Sequence, residues 1–176
     1  MVSIGFTTSS GWLSSIIRGV TKSKASHAFI LLEPDEPFYG HKQWVLEAVG
    51  TGFHLIPYDT YLSPSTNLVD LIPIAYELDI QKAMDWLGGK YDIGGLVGES
   101  YVTLARWIKT KWKNLKFKVR NPLHEKNTMY CSEAIAYLLQ DSHYPHSEAL
   151  VPYNISPEDL YEFITSGILP PDSLVH

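Results

Sequence analysis

Residues 27–32 read HAFILL, the most apolar run of strand length in the chain. Apolar residues on both faces indicate a strand that is covered on both sides, so this run is predicted to be a central strand. The next such run is WVLEAV at 44–49. Between them lies a loop with Pro34 and Pro37, residues that favour chain reversal. We therefore expect a hairpin whose loop is centred near Pro37.

Shorter apolar patterns extend this arrangement along the chain. Further strands are predicted at Val2–Phe6, Phe53–Ile56 and Leu68–Ile74, and helices at Leu13–Val20, Ile80–Leu87, Tyr101–Trp112, Tyr130–Leu139 and Ser156–Ile164. The last helix has the clearest start, because Ser156 is suited to cap it and Pro157 to open it. Strands that cluster before helices indicate an α+β fold, in which an antiparallel sheet packs against helices.

Length and composition restrict the class of protein. With 176 residues, 45% apolar and 19% charged, the chain is expected to form one globular domain over residues 1–176. A single cysteine, Cys131, excludes an internal disulfide framework and a Cys-rich zinc site, and no metal or cofactor is expected. No run approaches the ~18 apolar residues of a membrane span, and the amino terminus lacks a secretory pattern. A soluble, cytoplasmic protein is expected.

Cys131 is the first candidate for chemistry, since it lies near the start of a predicted helix. Asn127 or Thr128 could cap this helix and leave Cys131 in its first turn. There the unpaired amides and the positive end of the helix dipole favour a thiolate, the nucleophilic form of cysteine. A free cysteine also fills space in a core, so a purely structural role stays open.

A thiolate nucleophile needs a base and a group that orients the base. Of the seven histidines, His27 stands out because it begins the most apolar strand, where an imidazole needs partners; His54, in another strand, is the reserve. A hairpin centred near Pro37 places His27 opposite Glu47, within reach of a carboxylate–imidazole bond. A shift of one residue would instead turn Glu47 to the other face of the sheet.

Four short motifs together resemble a known family. They are Ser26-His27-Ala28, Leu46-Glu47-Ala48, Tyr91-Asp92 and Tyr130-Cys131-Ser132-Glu133. In this order they resemble the circularly permuted papain-like cysteine hydrolases, the NlpC-related proteins of the YiiX and lecithin retinol acyltransferase kind. In that branch the histidine precedes the cysteine along the chain, as it does here. The resemblance implies a permuted papain-like (NlpC-type) fold.

The resemblance also implies roles for individual residues. It makes Cys131 the nucleophile, His27 the general base and Glu47 the orienting group of a catalytic triad. Tyr130 and Ser26 match positions beside these residues and are expected to line the site or support the oxyanion. Tyr91 and Asp92 match a further motif and are grouped with these residues as substrate or oxyanion support, with no specific role assigned to Asp92. The family forms a covalent thioester from an amide or ester, on substrates that range from cell-wall peptides to lipids.

A strongly basic segment is the second informative feature. Residues 106–120 carry seven of the 14 basic residues and no acid, interleaved with Trp107 and Trp112. Such a segment can contact an anionic membrane, a cell wall or nucleic acid, or can simply be a solvated face. Because the rest of the chain is acidic, a lipid or wall surface is favoured over nucleic acid.

The sequence thus predicts a cysteine amidase, peptidase or lipid acyl hydrolase that acts on an amide or ester substrate. Transfer of the acyl group to an acceptor other than water stays open, and so does the oligomeric state. The alternative is a non-catalytic binding module of the same fold that uses residues 106–120 to contact an anionic partner at the membrane periphery, the cell wall or nucleic acid.

Overall fold

The computed structural model describes residues 1–9, 24–62, 66–88 and 129–168. Several predictions concern positions outside these ranges. They are the helices Leu13–Val20 and Tyr101–Trp112, the proposed caps Asn127 and Thr128, the motif Tyr91-Asp92 and the basic segment 106–120.

The described strands form one antiparallel sheet in the order β4-β3-β2-β1-β5. Its strands are β1 (Val2–Ser9), β2 (His27–Leu32), β3 (Trp44–Val49), β4 (Gly52–Pro57) and β5 (Thr66–Pro73). The prediction that β2 is central and buried on both faces is confirmed. Ala28 and Ile30 lie in the main core, whereas Phe29 and Leu31 pack with Val45 in a second cluster.

Four α-helices lie within the described residues: α1 (Tyr58–Tyr61), α2 (Ile80–Met84), α3 (Cys131–Asp141) and α4 (Pro157–Ser166). The predicted helix Ile80–Leu87 is too long, because α2 ends at Met84. The amides of Trp86 and Leu87 donate only three residues back, and Gly88 then has a left-handed φ of 77°. Hydrogen bonds that span three residues commonly close the last turn of an α-helix.

The start of α4 matches its sequence prediction. Ser156 caps the helix by accepting a hydrogen bond from the amide of Asp159 at 3.0 Å, and the Asp159 carboxylate accepts from the amide of Ser156 at 3.1 Å. Pro157 opens the helix. This capping box fixes α4, whose Leu160 and Phe163 lie in the main core with Ile135 and Leu139 of α3.

The architecture shown is therefore mixed α+β, with a five-stranded antiparallel sheet and a few helices. One face of the sheet packs against α3 and α4. In the ranges that the structure describes, no helix has both the length and the apolar character to cross a bilayer.

Gly5 and Phe29 make a close contact in the centre of the sheet. The two residues lie opposite each other in the β1–β2 ladder, and a Cβ added to Gly5 would overlap the Phe29 ring. That ring is buried and packs on Tyr61, with ring centroids 4.8 Å apart. Only glycine fits here.

We predict that Gly5→Ala lowers the free energy of unfolding by about 3 kcal/mol, because the Phe29 ring must leave its packed position. Urea titration followed by circular dichroism measures the change. Gly50→Ala is the matched control, since its added Cβ meets no atom of the described residues within 4 Å and its effect should stay within about 0.5 kcal/mol. Equal effects of the two changes would contradict the prediction.

Candidate active site

Cys131 is the first residue of α3, and the helix start around it is held by buried hydrogen bonds. Tyr130 is the N-cap, with extended backbone, and its amide donates to the Glu133 carboxylate at 3.4 Å. The Ser132 hydroxyl donates to the carbonyl of Ile155 at 2.7 Å. These bonds fix the position of a thiol that faces the open amides of the first helical turn.

The sulfur lies where β2 and β3 stop pairing. Their ladder runs only from Leu32 opposite Trp44 to Ile30 opposite Leu46. Beyond this point the backbone amide of Ala28 is one of the groups that lower the pKa of Cys131. The end of the β2–β3 hairpin therefore contributes to the electrostatics of the thiol of α3.

The predicted register of this hairpin is wrong by two residues. Continued from Ile30 and Leu46, the observed ladder places Phe29 opposite Glu47, with His27 a diagonal neighbour. The chain reverses at Tyr39 and Gly40, both with positive φ, rather than at Pro37. An even shift leaves each side chain on its predicted face, so the expected His27–Glu47 contact still forms.

His27 and Glu47 make a direct ion-pair hydrogen bond. The distance from His27 Nε2 to Glu47 Oε2 is 2.8 Å, and the two side chains are 18% and 10% exposed. Because Nε2 is engaged by the carboxylate, Nδ1 is the ring nitrogen left for another partner. Cys131 is the neighbour close enough to fill that role, since the charges of Cys131 and His27 shift each other's pKa.

The electrostatics of the pair favour a thiolate and an imidazolium. Burial by itself lowers the pKa of His27, but the charge of Cys131 and the hydrogen bonds to Cys131 and Glu47 outweigh it and raise the pKa from 6.5 to about 10. Burial by itself raises the pKa of Cys131. The His27 charge and hydrogen bond, with the amides of Ala28 and Ser132, reverse this effect and hold the thiol pKa below its ordinary value.

The cavity beside the Cys131 sulfur is small. Cys131 is 3% exposed, and the cavity beside it measures about 10 Å³, room for roughly one water molecule. Phe53 and Trp86 line this cavity with their ring centroids 5.7 Å apart. A ligand larger than water can reach the sulfur through this cavity only after lining side chains move.

Of the other predicted site residues, the structure describes Tyr130 and Ser26, and both are buried. Tyr130 is fully buried, and its hydroxyl donates to the carbonyl of Pro152 at 3.3 Å, an interaction that secures the helix start. The amide of Ser26 donates to the carbonyl of Thr7 at 3.0 Å, and its buried hydroxyl has no hydrogen-bond partner in the described part of the chain. Tyr91 and Asp92 lie outside the described ranges.

His54, the reserve base, is not the partner of the thiol. It lies opposite Glu47 in the β3–β4 ladder, but its Nε2 is 2.8 Å from the Thr51 hydroxyl. The structure therefore places His27, and not His54, beside Cys131.

Sequence reasoning missed Tyr61 and Thr7. Thr7 lies opposite His27 in the β1–β2 ladder, and its hydroxyl is 3.4 Å from that of Tyr61. Burial raises the pKa of Tyr61, and the nearby charges of Glu47 and Cys131 add to the increase. No motif marks Tyr61, because a single-turn helix after β4 positions it.

Within the described segments, no three histidine, cysteine, aspartate or glutamate side chains form a group that could hold a metal ion. Comparisons with protein-family models, with curated proteins and with solved structures found no match.

Proposed function

We propose that this protein is a cysteine hydrolase or acyltransferase that cleaves an amide or ester bond through Cys131, His27 and Glu47. One observation carries the proposal. A single imidazole lies beside a thiol at a helix start, with which it interacts electrostatically, and is hydrogen-bonded to a carboxylate on the neighbouring strand. This is the arrangement of nucleophile, base and orienting group that covalent acyl transfer requires.

The proposal includes a permuted papain-like fold of the NlpC-related kind. The order of the three residues along the chain supports it, since His27 begins β2, Glu47 follows on β3 and Cys131 opens α3. An antiparallel sheet that packs against the cysteine-bearing helix is compatible with that fold.

In the proposed reaction the Cys131 thiolate attacks the substrate carbonyl carbon and forms a carbon–sulfur bond. The first-turn amides of α3 that do not bond to the sulfur stabilise the oxyanion. The His27 imidazolium then gives its proton to the leaving amine or alcohol as the carbon–nitrogen or carbon–oxygen bond breaks. Neutral His27 next takes a proton from water, or from an acceptor, which attacks the thioester and releases Cys131 as thiolate.

The experiment uses the nitrophenyl ester of a short fatty acid as an acylating probe. Intact-mass spectrometry after an acid quench should show one acyl group on the wild-type protein and none on Cys131→Ala. Neutral hydroxylamine should remove it, as expected for a thioester. If acylation needs prior unfolding, or if Cys131→Ala is acylated equally, the proposal is wrong.

A second candidate is a non-catalytic module of the same fold, and the 3% exposure of Cys131 is the observation that favours it. In that case the thiol only packs against Ala48, Phe53 and Ala134. Binding would then depend on the basic segment 106–120, whose contact with an anionic membrane or wall stays a prediction. This candidate predicts no acylation of the folded protein.

The variant Glu47→Gln tests whether the carboxylate acts on His27. Replacement by glutamine keeps the shape of the side chain but removes the charge that helps to raise the pKa of His27. We expect the pKa of His27 to fall by about one unit from its value of about 10, and turnover to fall about 100-fold. Nuclear magnetic resonance titration of the histidine rings, assigned with His27→Ala, measures the shift.

The sign of the pH effect follows from the raised pKa. His27 is protonated below about pH 10 and loses its proton as the pH rises through that value. Because Glu47→Gln lowers the pKa, the imidazolium should disappear at a lower pH than in the wild type. An unchanged His27 titration would show that Glu47 does not act on the base.

A further inference from the structure

An apolar groove of about 730 Å³ lies at the end of the sheet opposite Cys131. Its floor crosses four neighbouring strands, α2 forms one wall, and the loop after β2 forms the other. The floor residues are Val2, Leu32, Trp44 and Leu55, the α2 residues are Ile80 and Met84, and the loop residues are Glu33–Phe38.

The groove is separate from the candidate active site. His27 is the first residue of β2, and Leu32, which lines the groove, is the last. Five steps of extended chain separate these residues by about 17 Å. The volume falls in the range of about 300–1,000 Å³ that is typical of small-molecule sites.

The rim of the groove is acidic. Glu33, Asp35 and Glu36 line it, and among the described residues that do so there is no lysine or arginine. The amino group of Met1 is the one cation at the rim in the described chain, and it donates to the Glu33 carbonyl at 2.7 Å. The Glu33 carboxylate accepts from Gln43 at 2.5 Å. Asp35 and Glu36 are exposed, and neither carboxylate forms an ion pair with another described residue.

Aromatic rings line the same groove as these carboxylates. Phe38 and Trp44 have ring centroids 5.4 Å apart, and Phe38 is 49% exposed. Aromatic faces attract cations, and an apolar floor buries a hydrocarbon body. From the apolar floor, the two aromatic rings and the acidic rim, we propose that this groove binds a small apolar cation, a molecule with a hydrocarbon body and an ammonium group. The inference does not depend on the proposed catalytic function.

Three probes with the same body and different head groups test the inference: phenylbutylammonium, phenylbutanol and phenylbutanoate. Each is titrated into the 176-residue chain while the Trp44 indole N–H signal, assigned with Trp44→Phe, is followed by nuclear magnetic resonance. The ammonium probe should shift this signal saturably. It should bind about 5-fold more tightly than the alcohol, with the carboxylate weakest, and added salt should reduce the difference.

Charge variants distinguish an effect of the rim carboxylates from an effect of the net charge of the protein. In Asp35→Asn/Glu36→Gln the ammonium and alcohol probes should bind within about 2-fold of each other. Glu148→Gln/Glu162→Gln is the matched control: it changes the net charge equally at exposed positions that do not line the groove, and should keep the preference. The inference is overturned by equal binding of ammonium and alcohol to the wild type, by a preference that survives the rim variant, or by an unperturbed Trp44 signal.

Discussion

Replacing Cys131 with alanine is expected to lower turnover of an activated ester by at least about 10⁴-fold. The reason is chemical, since an alanine methyl group cannot form the thioester and the chain has no other cysteine to replace it. Turnover is measured from nitrophenol release. The rate with buffer alone is the baseline that is subtracted from both proteins.

The fold should survive this change. The Cys131 side chain packs against Ala48 and Phe53, and removal of one sulfur atom from such a cluster costs about 1 kcal/mol of stability. A circular dichroism spectrum like that of the wild type is therefore the control. Retained turnover in folded Cys131→Ala would contradict the account, because the nucleophile would then lie elsewhere.

Replacing His27 with alanine is the second large effect, expected to lower turnover by about 10³-fold. The variant loses both the proton acceptor and the positive charge that holds the thiol pKa down. Burial of the thiol then dominates, so the pKa of Cys131 should rise above its ordinary value. Thiolate absorbance in the ultraviolet, measured across a pH titration, tests the rise independently of turnover.

His54→Ala is the matched control for His27→Ala. His54 is also a strand histidine and lies directly opposite Glu47, but its ring bonds to Thr51 rather than to Cys131. Its removal should leave turnover within about 3-fold of the wild type and the thiol pKa unchanged. If His54→Ala instead gives the larger loss, the base is misassigned. If His27→Ala unfolds the protein while ester turnover is never observed, His27 is structural.

The strands could be predicted more accurately than the hairpin that joins two of them. HAFILL and WVLEAV give both β2 and β3 with correct bounds, because an apolar run ended by turn residues marks a buried strand. The turn could not be located, since it places Tyr39 at a φ of 46°, a conformation that tyrosine rarely adopts. Prolines nearby suggested Pro37 instead.

The residues of the candidate site could be predicted from the sequence, but the cavity around them could not. Periodicity and motif order pointed to Cys131, His27 and Glu47, which the structure brings together. The narrow cavity beside the sulfur depends on Phe53 and Trp86, which meet from separate elements. Such tertiary contacts leave no local pattern in the sequence. The groove beyond Leu32 escaped prediction for the same reason.

The measurement that tests the central claim most directly is the ultraviolet thiolate titration of the wild type, with Cys131→Ala subtracted. Since Cys131 is the single cysteine, the difference reports one group, and it needs no reagent to reach the buried sulfur. We predict that the thiol takes up its proton below the value of about 8.5 typical of free cysteine, because the His27 charge lowers its pKa. A protonation midpoint at or above that value would contradict the account.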